Sequence, residues 1–173
     1  MQKLPVLSLC LVFLLIIFSI FEQDIIFLSI TISSLTFLSF LMVKKWLSSG
    51  ILFLMLLVSI FYSIGSVFNL YLSEFEYDGF LHFYTGFTVS YLFGSLIKKA
   101  RTGILKRNKF IPFLSIILFG LSISIIWEIF EIFAGKFFPE YVIGELTDTL
   151  SDLIFDTLGI LFAGVLVMHK TKR

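Results

Sequence analysis

Six stretches of this chain are as long as a bilayer is thick and nearly free of charge, which leaves few folds open. They run near Leu4–Phe21, Ile25–Val43, Ile51–Leu72, Phe80–Ile97, Phe110–Ala134 and Leu153–Met168. A spanning helix takes about 20 mostly apolar residues. At 58% hydrophobic residues over 173 positions and a mean hydropathy of +1.05, the chain needs lipid to cover its surface. The expected fold is all-α: a polytopic six-helix transmembrane bundle forming one integral-membrane domain over 1–173. Residues 1–50 supply scaffold helices, and 76–164 carry the polar motifs.

Charge sets the expected orientation. In a six-span arrangement, 12 of the 13 Lys and Arg residues fall on one side, and only Lys136 falls on the other. The positive-inside rule then places both termini in the cytoplasm. Every acidic residue lies outside or in the outer part of a helix, an agreement that the basic residues did not impose. The basic loop Lys98–Lys109 sits beside a span, so it reads as an anchor to anionic lipid rather than a nucleic-acid contact. Cys10 is the only cysteine and has no intrachain disulfide partner. The first apolar segment has a basic start but no small-x-small cleavage site, so it is expected to remain as an anchor.

Against this apolar background, seven ionisable residues recur at spacings of three or four: Asp78 and His82, Glu128 and Glu131, and Asp148, Asp152 and Asp156. Residues four apart share a helix face, rotated by about 40° and raised by about 6 Å. The three Asp therefore form a ladder about 12 Å tall, running from the outer interface inward. Asp78 and His82 form a two-rung ladder, and Glu128 and Glu131 are neighbours on a third helix. A charge near the bilayer centre costs roughly 2.5–3.5 kcal/mol, so such groups face a shared interior. Small residues at every fourth position, Gly86, Ser90 and Gly94 in the fourth span and Gly159 and Ala163 in the sixth, allow close backbone approach. These two helices are expected to pack together and hold His82 near Asp152 and Asp156.

Several carboxylates in a low-dielectric pocket cannot all be ionised without a counter-charge. Either a divalent cation supplies it through oxygen ligands, or some acids hold protons that they can exchange. His82 suits either case, as ligand, proton carrier or cation. The ligand set read from spacing is His82, Glu128, Asp148, Asp152 and Asp156, with Mg or Mn favoured over Zn. Asp78 and Glu131 complete the catalytic set with His82, Glu128, Asp152 and Asp156. Asp148 reads equally as an N-terminal helix cap, and His169 as a solvated residue among the terminal basic ones. No phosphate-binding Gly-rich loop, HExxH motif, Cys cluster or nucleophile elbow is present.

Three segments carry a family resemblance: Tyr77-Asp78-x3-His82-Phe83-x2-Gly86, Trp127-Glu128-x2-Glu131 and Asp148-x3-Asp152-x3-Asp156-x2-Gly159. They resemble the YjdF-type bacterial inner-membrane proteins and, more loosely, the VanZ-like proteins associated with glycopeptide resistance. In the VanZ-like group the last rung is usually Asn, where this chain has Asp156. The resemblance covers about Glu76–Gly164 and implies a multi-pass inner-membrane location and a site, with no reaction attached. Three functions stay open: a cation-dependent enzyme or binder of a lipid-linked or phosphate-bearing envelope molecule, a proton- or cation-coupled transporter, and a non-catalytic scaffold. For a transporter, so few spans would call for a homodimer, and the acid-free inner halves of the helices leave no obvious route to the cytoplasm.

Overall fold

The computed structural model describes residues 48–68, 70, 77–100, 109–137 and 146–169. By its contacts the chain divides into two units, Met1–Leu72 and Ser73–Arg173. In the first, the described element is helix α1, Ser49–Val67, with a shorter apolar stretch at Ser49–Tyr62. The expected spans Leu4–Phe21 and Ile25–Val43 lie outside the described residues.

The second unit contains α2 (Tyr77–Lys99), α3 (Phe110–Phe137) and α4 (Leu146–His169). By length and composition each is able to cross a membrane, over Tyr77–Lys99, Phe110–Phe133 and Thr147–His169. Their end residues suit the helix dipole. Asp78 and Asp148 lie in the first turns of α2 and α4, and Lys98, Lys99 and His169 lie in the last turns. Pro112 falls in the first turn of α3, where its missing N–H would have no intrahelical partner anyway.

The last three expected spans therefore form as helices. Helix α3 runs on past its apolar stretch to Phe137, and α4 begins at Leu146, ahead of the apolar run that starts at Leu153.

Glycines fix how the three helices align. A Cβ on Gly86 would meet the Asp156 backbone oxygen at 2.8 Å, and one on Gly94 would meet Val167 at 2.8 Å. Advancing along α2 thus advances along α4, so these two helices are parallel; they also share the most extensive of the three helix interfaces. On α3 the order reverses. Gly120 faces Ser90 and Ile160, whereas Gly164 of α4 faces Phe113 and Ile117. Helix α3 is the antiparallel return strut between two parallel neighbours.

The unit has two halves of different character. Away from the α2 and α4 N-termini the core is aliphatic: Ile116, Ile160, Ala163 and Val167 are almost fully buried, and Phe93 stacks on Phe119 with ring centroids 4.0 Å apart. Large apolar side chains of α3, including Ile125, Ile129 and Phe133, are exposed and present the surface that lipid solvates. Outward hydroxyls on α3 bond within the helix, Ser115 to the Ile111 carbonyl at 2.9 Å and Ser122 to the Leu118 carbonyl at 2.7 Å. Near the N-termini of α2 and α4 the core turns polar.

Candidate functional site

His82 lies five residues into α2, about 8 Å from its start. Four carboxylates from three helices surround its ring. The Nε2 edge faces Asp78 Oδ1 at 3.9 Å and Asp152 Oδ2 at 3.8 Å. The Nδ1 edge faces Glu128 Oε1 at 3.8 Å and Asp156 Oδ2 at 3.3 Å, the last a hydrogen bond. Glu131 joins through a second grouping, in which donor atoms of His82, Glu128 and Glu131 lie within 4.8 Å of one another. Asp78, His82 and Asp152 form the corresponding group on the other edge.

The inner members of the cluster are buried. His82 is 8% exposed, Glu128 5%, and Asp152 and Asp156 4% each. Asp78 is half-buried, its side chain 37% exposed, and so gives the cluster an edge toward solvent. Six of the seven residues picked out by spacing converge: Asp78, His82, Glu128, Glu131, Asp152 and Asp156.

Asp148 is the one that does not join. It is exposed in the first turn of α4 and outside both close groupings; it lies inside the helix rather than at its cap, where an acid still suits the helix dipole. His169 is exposed at the opposite end of α4, away from the site. Trp127 is 41% exposed, as an interfacial aromatic would be.

One site residue escaped the sequence reading. Ser124 Oγ donates a hydrogen bond to Asp156 Oδ2, the same oxygen that meets His82. Helical spacing held a signal for it, since Ser124 is four residues before Glu128. Among the described residues, Glu128 Oε1 has no hydrogen-bond partner despite its burial. Removing the Ser124 hydroxyl should therefore matter. Ser124→Ala is expected to lower stability by about 1–3 kcal/mol, the range for a lost hydrogen bond to a charged or buried group. Chemical unfolding in detergent checks this, and a variant as stable as the parent would contradict the assigned contact.

The electrostatic balance is one-sided. No Lys or Arg occurs in Tyr77–Ile97, Phe110–Gly135 or Leu146–His169. Four ionised carboxylates around one imidazolium would leave three uncompensated negative charges. Two like charges about 4 Å apart repel by roughly 4 kcal/mol even at an effective dielectric of 20. The arrangement therefore calls for added positive charge, carried by bound protons or by a cation.

Comparison with known proteins adds a family. An uncharacterised protein of Thermotoga maritima is 34% identical over 117 residues, covering 64% of this chain. The chain spans only 57% of the length of that relative. No solved structure matches the chain. A family of predicted membrane proteins, DUF2238, matches residues 2–173, nearly the whole sequence. Three membrane-length helices and a polar site buried between them agree with that match, and the chain belongs to the DUF2238 family of predicted membrane proteins.

Proposed function

We propose that this protein holds a divalent cation at the His82 cluster and uses it to bind or process a phosphate-bearing, lipid-linked molecule of the bacterial envelope. The observation that carries the reading is the buried imidazole ringed by carboxylates from three helices that contain no basic residue at that level. A bare acidic pocket repels phosphate. A divalent ion held by the carboxylates reverses the local charge and can bridge protein oxygens to phosphate oxygens. Oxygen donors outnumber nitrogen here, which favours Mg²⁺ or Mn²⁺ over Zn²⁺.

The location proposed with it is the bacterial cytoplasmic membrane. There the chain would make six spans with both ends inside, and the site would open to the outer leaflet. The sidedness of the Lys and Arg residues supports that orientation. The resemblance of the three motifs to YjdF-type inner-membrane proteins supports the location.

Metal removal and return test the reading. Protein purified without chelators should contain a divalent ion. After chelation, adding Mn²⁺ or Mg²⁺ at about 100 times its dissociation constant should stabilise the fold by about 2.7 kcal/mol. For a chain of this size that corresponds to a rise of roughly 5–10 °C in Tm. No bound ion together with no shift on addition would defeat the proposal.

A further inference from the structure

Resting on that reading, we infer that the cation sits on one edge of His82 only, held by Nε2, Asp78 and Asp152, while Asp156 and Ser124 act as positioning residues from the opposite edge. A neutral imidazole has one N–H and one lone pair. The Nδ1 edge is already engaged, because Nδ1 meets Asp156 Oδ2 at hydrogen-bonding distance. That carboxylate is oriented by the Ser124 hydroxyl. A carboxylate accepting from Nδ1–H leaves the Nε2 lone pair for a metal, and this pairing recurs behind metal-ligating histidines.

The spacing on the Nε2 edge suits an ion. Asp78 and Asp152 oxygens stand 3.9 and 3.8 Å from Nε2, too far for hydrogen bonds. Two ligand atoms each about 2.1 Å from one ion lie roughly 3–4 Å apart. Solvent reaches this edge through Asp78, whose side chain is 37% exposed, while Asp152 is buried; the other grouping has the same pattern, with half-buried Glu131 beside buried Glu128.

This assignment also gives Glu128 a role. Its Oε1 is buried, faces the cluster and lacks a hydrogen-bond partner among the described residues. With the Nδ1 proton given to Asp156, that oxygen is left to accept from a hydroxylic donor, either water or a substrate hydroxyl. The two close groupings that share His82 are therefore unequal: one holds the ion and the other holds a hydrogen-bond donor.

The test uses the full chain in detergent with Mn²⁺ alone as probe. Binding is read by electron paramagnetic resonance. Asp78→Asn and Asp152→Asn are expected to weaken Mn²⁺ binding at least about tenfold more than Glu128→Gln does, with Asp156→Asn between them at about 10–100-fold. The reverse order, with Glu128→Gln the most damaging, would overturn the inference and leave the cation reading standing. A parent protein that binds no Mn²⁺ would overturn both.

A second measurement needs no variant of the site. Histidine-labelled protein saturated with Mg²⁺, with His82 assigned by comparison with His169→Gln, should carry the His82 proton on Nδ1 by long-range proton–nitrogen correlation. Between the metal-free and Mg²⁺-loaded protein, Nε2 should shift more than Nδ1. An Nε2–H tautomer in the loaded protein, or a larger shift at Nδ1, would overturn the placement.

Discussion

His82→Ala is expected to abolish stabilisation by divalent cations and to destabilise the metal-free fold by about 3–5 kcal/mol, the usual effect of removing one partner from a buried charged pair. The ring occupies the space between four carboxylate groups and supplies a nitrogen to each of them. Without it, Asp152, Asp156 and Glu128 remain buried and face one another across a cavity. Unfolding in detergent, with and without Mn²⁺, reads both effects. A variant that unfolds like the parent and still gains stability from Mn²⁺ would show that the ring is not the centre of the site.

Gly159→Ala should be the most damaging small substitution outside the polar cluster. Its new Cβ would run into the Phe83 carbonyl oxygen and would lie 2.9 Å from the Phe87 backbone nitrogen. A side chain can swing aside, but helix backbone cannot, so α2 and α4 would have to separate. Overpacking of this kind costs typically 1–3 kcal/mol, sometimes more. Because His82 is the residue before Phe83, the shift would also carry the imidazole away from Asp152 and Asp156. The variant should therefore lose cation-induced stabilisation along with stability. Gly50→Ala is the matched control, since a Cβ there meets nothing within 4 Å among the described residues, and cation-induced stabilisation should be unchanged. Parent-like behaviour of Gly159→Ala would mean that α2 and α4 do not approach through this glycine.

Much of this unit could be read from residue spacing. The apolar runs located α2, α3 and α4 to within a few residues at most ends. The largest difference was the start of α4, where the polar sequence Leu146–Asp152 forms helix ahead of the apolar run. The small residues Gly86, Gly94, Gly159 and Ala163 pointed to close packing of α2 on α4, and the Gly86–Asp156 and Gly159–Phe83 approaches are that packing. Depth was harder to read. Four-residue spacing puts Asp148, Asp152 and Asp156 on one face, but the ladder is taller than an imidazole, so its top rung stays above the ring in solvent.

Ser124 was hidden for a different reason. A serine in an apolar helix commonly bonds its own backbone four residues earlier, as Ser115 and Ser122 do. Spacing alone could not single out the one serine whose hydroxyl crosses to Asp156 on another helix. Neither could it tell which edge of His82 faces which carboxylate, because that depends on the rotation of three helices about one ring.

The most direct measurement is anomalous X-ray scattering at the manganese edge from crystals of the purified protein grown with Mn²⁺. The predicted result is a single ordered peak between Asp78, His82 and Asp152, with Asp156 and Ser124 behind the ring. Density showing no ion at His82, or the carboxylates of the three helices turned away from one another, would contradict the account at its root.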